Sequence, residues 1–335
     1  MARIFGTKSG RRSCTLLLAG STTLALLMGS AAAYADDAPS NSLVEVVEAA
    51  TPETVAAAAA VATQDDTGHV IDATLADTNL TVPVDPADGI TLDSESGRVK
   101  IELPFATEAG EANVEKPGIV SYDNGNGSVT VPVVQPEGDI QINTVISGEA
   151  SPTRYAYPLT LPEGAVLEQN SDGSIVAWDP AGEIVLTLSA PWAKDANGLE
   201  VPTRYEVAGN TVTQVVEHSS AFAYPIVADP YAGNGQFYKK AWVSGAPKGY
   251  KGYVVNAIPT SEGRRLNDVN VLGVHLRQLK SKLGGNASKV TPTIREQFYC
   301  HVVGNIFEPG TYNMESWRKY KDWGTQLNLW DRCNP

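Results

Sequence analysis

Motifs that mark several common enzyme classes are missing from this sequence of 335 residues. No Gly-rich phosphate loop follows a strand pattern and opens a helix, and no Gly-x-Ser-x-Gly elbow is present. These absences argue against nucleotide-dependent enzymes and against the common serine hydrolases. His-x-x-x-His and Cys-x-x-Cys spacings are absent as well, so we predict neither a metal site nor a cofactor.

Long apolar runs are confined to one stretch, Leu16 to Met28. Four basic residues precede this stretch, and Ala33-Tyr34-Ala35 follows it with small residues where a signal peptidase cleaves. We therefore predict a signal peptide over residues 1–35, cleaved near Ala35, and a protein that is secreted or associated with the cell wall. No second apolar run reaches the ~20 residues of a membrane span, so we expect no transmembrane segment in the mature chain.

Cysteine is scarce, with three residues in the whole chain. Cys14 lies in the predicted signal peptide, so the mature chain keeps Cys300 and Cys333. An even number of cysteines in an exported chain favours a disulfide over two free thiols. On the chain-entropy model, a bridge that closes this loop contributes roughly 3–4 kcal/mol to stability.

Basic residues are rare in the first part of the mature chain and common in the last. Residues 36–230 hold 31 acidic and 6 basic side chains, whereas residues 231–335 hold 7 acidic and 15 basic ones. The two net charges are therefore −25 and +8. Opposite charges on one chain predict either intramolecular docking of the acidic and basic parts or a separate partner for each.

The pattern of turns and apolar runs predicts how the mature chain is organised. Residues 36–66 are Ala-rich and acidic, with no face to bury, and predict a flexible leader. From 67 to 230, short runs rich in Val, Ile, Thr and Tyr alternate with turn residues, which predicts an acidic all-β domain, a sandwich-like meander. The segment Tyr224–Pro230 is predicted to be a final strand that ends at a domain boundary. Gly233-Asn234-Gly235 after it predicts a linker.

The last segment, 231–335, is predicted to be a small basic α+β domain closed by the disulfide. Strands are expected over 236–243 and 252–258. Leucines at helical spacing predict a helix over 272–283 that ends at Gly284. A further strand is expected over 294–303.

Two histidines of this domain, His275 and His301, are candidate catalytic residues. Near a basic side chain, such a pair could cleave a phosphodiester by general acid–base catalysis. The alternative is a structural role for both rings, because their separation is not fixed by the sequence.

Aromatic and basic residues alternate in the same domain, which is typical of surfaces that bind single-stranded nucleic acid or glycans. The candidate binding residues are Lys239, Lys240, Trp242, Lys251, Trp317 and Arg318. Alternation in a half-buried strand produces the same pattern without any ligand.

Three short segments of the basic domain also resemble a known family. They are Gln297-Phe298-Tyr299-Cys300-His301, Tyr312-Asn313-Met314-Glu315-Ser316-Trp317-Arg318 and Cys333-Asn334-Pro335. Together they are similar to domain-of-unknown-function family 2599, over about residues 242–335. The resemblance implies an exported actinobacterial protein, and it implies no established activity. The segment around Tyr224–Pro230 resembles leaders that precede varied C-terminal domains in such proteins.

Two functional hypotheses follow from the sequence. The first is a secreted or envelope-associated modular protein whose basic domain binds an anionic surface polymer or a protein partner. The alternative is a secreted, toxin-like, ribonuclease-like hydrolase that acts through His301 and His275, with nucleic acid as its substrate. The sequence leaves open whether the protein is an enzyme.

Overall fold

Antiparallel strands make up most of the structure. The computed structural model describes residues 42–61, 68–304, 310–327 and 333–334, so the predicted signal peptide lies outside the described residues. The described residues all belong to one compact unit. Within the described ranges, no helix is long and apolar enough to cross a membrane.

Twenty strands and six α-helices occur in the described residues. The strands are β1 His69–Leu75, β2 Thr78–Pro83, β3 Ile90–Ser94, β4 Gly97–Ile101, β5 Asn113–Lys116, β6 Ile119–Asp123, β7 Ser128–Val134, β8 Ile140–Ile146, β9 Arg154–Thr160, β10 Val166–Gln169, β11 Ile175–Trp178, β12 Ile184–Leu188, β13 Ala193–Lys194, β14 Thr203–Ala208, β15 Thr211–Val216, β16 Ile226–Ala228, β17 Tyr231–Gly233, β18 Tyr238–Gly245, β19 Tyr253–Pro259 and β20 Tyr312–Glu315. The helices are α1 Leu43–Ala50, α2 Pro52–Ala56, α3 Ser261–Arg265, α4 Leu272–Leu283, α5 Pro292–Val303 and α6 Trp323–Gln326.

Two large antiparallel sheets share one apolar core. The first has the order β1-β2-β3-β4-β9-β15-β14, and the second has the order β10-β11-β12-β17-β8-β7-β6-β5, with β16 and β13 added beside β8. Leu80 and Tyr157 of the first sheet join Ile142 and Leu186 of the second in the same buried cluster. Alternate residues of a strand point to opposite faces, which is why β9 buries every second side chain. The predicted β-rich class is confirmed.

A three-stranded sheet, β18-β19-β20, forms the C-terminal part together with α4 and α5. Met314 of the sheet packs with Leu279 of α4 and Phe298 of α5. The predicted helix over 272–283 is confirmed. Ile184 of β12 belongs to the same cluster, so the C-terminal part also packs against the second large sheet.

Residues 294–303 form a helix, and the predicted strand is wrong. Pro292 occupies the first turn of α5, and the Thr291 hydroxyl accepts a hydrogen bond from the Ile294 N–H at 3.4 Å. Buried side chains recur at helical spacing, from Ile294 through Phe298 to Val302. The run of aromatic and β-branched residues looked like a strand, but the capping residues and the packing favour the helix.

The described portion of the predicted leader, residues 42–61, contains the helices α1 and α2. The Ser42 hydroxyl and the Glu45 carboxylate form a capping box at the start of α1. Val44 and Val47 of α1 are buried in a cluster with valines of β7, β8 and β16. Helix α1 therefore covers the face of the second sheet that is turned away from the main core.

The second sheet continues past Pro230, where the sequence placed a domain boundary. Strand β17 pairs with β8 on one side and with β12 on the other. The expected linker is buried at Asn234, whose side-chain amide donates to the Thr78 hydroxyl and to the Glu137 carbonyl, both at 2.9 Å. The division at Pro230 is not confirmed.

Candidate functional site

His275, a candidate catalytic residue, lies on α4 and is fully buried. The Nδ1 atom of His275 accepts a hydrogen bond from the Tyr238 hydroxyl at 2.6 Å, and its Nε2–H donates to the Leu266 carbonyl at 2.6 Å. Both ring nitrogens are therefore satisfied in the neutral form. Burial lowers the pKa of His275 to about 4, which keeps the ring uncharged at neutral pH.

His301 on α5 is 2% exposed. Its ring stacks on Tyr312 with the centroids 5.4 Å apart, and its Nε2 donates to the Asn313 carbonyl at 3.3 Å. Burial lowers the pKa of His301 to about 4, although hydrogen bonds to Asn313 and Asn334 act in the opposite direction.

An aromatic chain inside the C-terminal core links the two histidines. The ring centroids of His275 and Tyr238 are 5.6 Å apart, and those of Tyr238 and Tyr312 are 6.5 Å apart. Tyr312 then contacts His301. The structure thus brings both candidate residues into one core, where an external substrate has no access to either ring. This geometry supports a packing role more than acid–base catalysis.

The predicted disulfide between Cys300 and Cys333 is confirmed, with the two Cα atoms 5.3 Å apart. Cys300 lies on α5, one residue before His301, so the bridge attaches the C-terminal segment to a buried helix. Its two sulfurs are part of the fold and supply no thiol nucleophile.

The six candidate binding residues separate into groups with different surroundings. Lys239 faces the acidic part and forms an ion pair with Glu137 at 2.5 Å. Lys240 and Trp242 lie two residues apart on the same face of β18, with the Lys240 Nζ 5.3 Å from the Trp242 ring centre. Lys239 is therefore occupied within the chain, whereas this neighbouring pair is not held by the acidic part.

The remaining candidates lie at the far end of the three-stranded sheet, around the loop between β18 and β19. The ring of Tyr250 in this loop stacks on Trp317, with the centroids 5.0 Å apart and the planes 29° apart. Lys251 is exposed beside Tyr250, and the Arg318 guanidinium pairs with Glu315 at 2.5 Å.

Hydrogen bonds fix this loop to the turn that follows β20. The Tyr253 N–H donates to the Ser316 hydroxyl at 2.8 Å, and the Ser316 N–H donates to the Tyr253 carbonyl at 3.0 Å. Gly252 makes the approach possible, because a β-carbon there would overlap the Ser316 hydroxyl. These hydrogen bonds therefore stabilise the stacking of Tyr250 on Trp317, although the two residues are 67 positions apart in the sequence.

Lys289 adds a cation from a distant part of the sequence. Its Nζ lies 5.0 Å from the Tyr253 ring centre, and the Tyr253 hydroxyl donates to the Lys289 carbonyl at 3.0 Å. We call the connected surface the basic–aromatic platform. It consists of Lys248, Tyr250, Lys251, Tyr253, Lys289 and Trp317. Sequence reasoning missed Lys289, since no local pattern associates it with the aromatic residues.

A buried carboxyl group from the C-terminal part lies against the second sheet, and sequence reasoning missed it too. Glu262 of α3 accepts hydrogen bonds from the Thr187 hydroxyl and from the Gly235 N–H, the latter at 3.1 Å. Arg265 lies 3.9 Å away. Burial raises the pKa of Glu262, and Arg265 offsets part of that rise. Two arginines follow Glu262 closely in the sequence, a context that resembles an exposed helix.

Asp139, in the turn before β8, is the second buried carboxyl group of this junction. It accepts hydrogen bonds from the Tyr231 hydroxyl at 3.0 Å and from the Asn234 N–H at 3.1 Å. Burial raises the pKa of Asp139 well above its usual range, and the nearby charge of Glu262 raises it further.

Three ion pairs also join the acidic and basic parts of the chain within the described residues. Each pair combines a cation of the C-terminal part with a carboxylate of the β-rich part. The pairs are Lys239–Glu137, Lys282–Asp77 at 3.2 Å and Arg277–Glu183. Because all three are partly exposed, each contributes about 0–1 kcal/mol. None involves a residue of the basic–aromatic platform.

Clefts lie along this junction in the described part of the chain, and two of them are lined by Arg265. One of about 490 Å³ is lined by Glu262, Arg265 and Tyr231, together with residues of α2. Another of about 610 Å³ is lined by Arg265 and Trp178. Neither cleft is lined by the candidate histidines. In the described ranges, no three His, Cys, Asp or Glu side chains are grouped so that they could hold a metal ion.

Comparisons of the chain with family models, curated proteins and solved structures find no match. The geometry described above therefore carries the functional argument alone.

Proposed function

We propose that this chain is an exported interaction module whose C-terminal part binds an anionic polymer of the cell envelope. The basic–aromatic platform carries the proposal, because it combines exposed lysines with stacked rings and includes none of the three cations that pair with the acidic part. Lys248 and Lys251 are exposed, and neither takes part in an ion pair within the described part of the chain. Exposed cations of this kind attract polyanions in a salt-dependent manner.

The distribution of ion pairs supports a carrier role for the acidic part. Acidic side chains of the β-rich part pair with three cations of the C-terminal part, Lys239, Arg277 and Lys282. The acidic part therefore neutralises the cations that it contacts. The platform keeps its charge. An acidic part that masked the binding surface would instead pair with Lys248 or Lys251.

Export is part of the same proposal and rests on the composition of residues 1–35. The disulfide and the absence of a spanning helix among the described residues are compatible with it. The resemblance of residues 242–335 to domain-of-unknown-function family 2599 remains a hypothesis and adds no activity. The buried state of His275 and His301 gives the hydrolase alternative no accessible pair of acid–base groups.

Co-sedimentation of residues 36–335 with purified cell envelopes tests the proposal. We expect binding at about 0.05 M NaCl and its loss at about 0.5 M NaCl, where the screening length falls to a few Å. The double variant Lys248→Ala/Lys251→Ala should bind several-fold more weakly. The double variant Lys116→Ala/Lys280→Ala removes the same charge from exposed positions outside the platform and should bind like the wild type.

Two results would contradict the proposal. Binding that is equal at both salt concentrations would exclude a mainly electrostatic contact. Equal losses in the two double variants would assign the effect to net charge and not to this surface. Soluble products released from the envelopes would return attention to the hydrolase alternative.

A further inference from the structure

The platform presents a ring as well as charge, and the ring is unusually accessible. Tyr250 is 57% exposed, although one of its faces is covered by Trp317. Its sequence neighbours on either side are Gly249 and Lys251, and Lys248 precedes them. A turn in which the Tyr250 N–H donates to the Pro247 carbonyl at 3.1 Å holds these residues together. Tyr250 is therefore largely exposed, and it lies within two residues of two exposed lysines that form no ion pair in the described part of the chain.

We infer that the basic–aromatic platform binds an acidic polysaccharide, a polymer that carries sugar rings and carboxylates together. This inference rests on the proposed function and specifies its ligand. A pyranose ring has an apolar C–H face that packs on the negative face of an aromatic ring. The carboxylates of the neighbouring sugar units then meet the lysines, so both features of the platform are used.

Each feature of the platform excludes a simpler ligand. A ring-free polyanion would use the lysines and leave the exposed Tyr250 ring without a partner. An uncharged glycan would use the ring and leave the ammonium groups without one. The rigid support beneath Tyr250 favours stacking further, because the Trp317 contact and the Ser316–Tyr253 hydrogen bonds fix its orientation before a ligand arrives.

The number of stacking positions favours a polysaccharide over single-stranded nucleic acid. Proteins that bind single strands without sequence preference place successive aromatic residues along a groove. Among the described residues, the platform contains a single stacked pair, and its second tyrosine, Tyr253, is covered by the Lys289 side chain.

Four polymers separate ring, charge and nucleic-acid chemistry in one binding experiment on residues 36–335. Polygalacturonate has rings and carboxylates, poly-L-glutamate has carboxylates alone, dextran has rings alone, and oligothymidylate is a single-stranded nucleic acid. With each polymer immobilised, we expect the tightest binding to polygalacturonate and none to dextran at about 0.05 M NaCl.

Variants assign the effect to the ring. Tyr250→Ala should weaken binding to polygalacturonate at least about fivefold, as expected for a lost stacking contact, and should leave binding to poly-L-glutamate unchanged. Tyr320→Ala is the matched control, because Tyr320 is 59% exposed and lies outside the platform. Thermal denaturation of each variant checks that the fold is intact.

The outcomes distinguish this inference from the proposed function. Equal affinities for poly-L-glutamate and polygalacturonate overturn the polysaccharide inference and leave the electrostatic function standing. Tighter binding to oligothymidylate than to polygalacturonate overturns it in favour of nucleic acid. An equal loss in Tyr320→Ala also overturns it. A protein that binds none of the three polyanions contradicts the proposed function itself.

Discussion

The carboxylate of Glu262 lies so close to the backbone of Gly233 that a β-carbon on Gly233 would overlap it. Glycine at this position of β17 is therefore a packing requirement. Without a side chain at position 233, Glu262 of α3 fits beside the second sheet. The Gly235 N–H and the Thr187 hydroxyl donate hydrogen bonds to its carboxylate oxygens there. The contact joins the C-terminal part to the β-rich part at a buried polar group.

Gly233→Ala should destabilise the protein by about 1–3 kcal/mol, because the new methyl group forces Glu262 out of its hydrogen-bonded position. Urea unfolding measures the change. Gly148→Ala is the control, since no atom lies within 4 Å of a β-carbon built there. Equal stability of the two variants would mean that Glu262 moves aside without cost.

Protease resistance should extend through residues 233–235, in spite of their glycine-rich sequence. Asn234 is buried and tied to Thr78 and Asp139, so the backbone there is not accessible. We expect proteinase K to leave this segment intact at about 0.05 M and about 1 M NaCl, because buried hydrogen bonds are screened little by salt. A pair of fragments from a cut at 233–235 in high salt would show instead that charge alone holds the parts together.

Asp229 should make the protein less stable as the pH rises. Burial raises its pKa to about 8, above the usual 3.8, so the folded state binds more protons than the unfolded state between these values. Stability therefore falls as the pH increases from about 4 to about 8. The unfolding temperature measured across this range tests the slope.

The variant Asp229→Asn removes the titration and keeps an acceptor for the Trp192 N–H, which donates to Asp229 at 2.9 Å. It should gain more stability at pH 8 than at pH 5. Asp139 and Glu262 have raised pKa values of their own, so the variant should retain a shallower slope of the same sign. A slope identical to that of the wild type would contradict the assignment.

Loss of the disulfide should lower stability by about 3–4 kcal/mol, the chain-entropy value for a loop of this length. The double variant Cys300→Ser/Cys333→Ser measures it by urea unfolding. Reduction of the wild type with a phosphine should give the same midpoint. A much smaller change would mean that the packing of the C-terminal segment holds the loop closed without the bond.

Val47→Asp should detach α1 from the second sheet, because a charge is unfavourable among the valines that surround this fully buried side chain. We expect a loss of about 3 kcal/mol and increased binding of a hydrophobic dye to the uncovered face. Ala49→Asp introduces the same charge at an exposed position of the same helix and should behave like the wild type. Similar dye binding by both variants would contradict the docking of α1.

The sequence predicted the elements whose local pattern was unambiguous. Runs rich in Val, Ile, Thr and Tyr between turn residues predicted the β-rich part, and the leucine spacing located α4. Prediction failed where tertiary packing decides the structure. Helix α1 has a face to bury, but its partner valines lie in strands far along the chain. In α5, the capping residues outweighed the strand-like composition.

The candidate site was predicted only in part, because tertiary packing also decides which of its residues lie together. Lys251 and Trp317 were found by composition, whereas Lys289 was missed because only the fold brings it over Tyr253. Burial of His275 and of Glu262 has no local signal, so His275 was considered as a catalytic residue and Glu262 was not singled out.

The position of β17 has a consequence for the order in which the protein folds. Strand β17 lies between β8 and β12. In the strand order of this sheet, it therefore connects the group β10-β11-β12 with the group β8-β7-β6-β5. In a chain emerging during synthesis or export, β16 can pair with one end of β8, but the other end of β8 and the edge of β12 stay unpaired until residues 231–233 are available. Such unpaired edges are prone to aggregate, and non-local pairings of this kind form slowly. We therefore expect the whole second sheet to consolidate late, after the C-terminal part has begun to emerge.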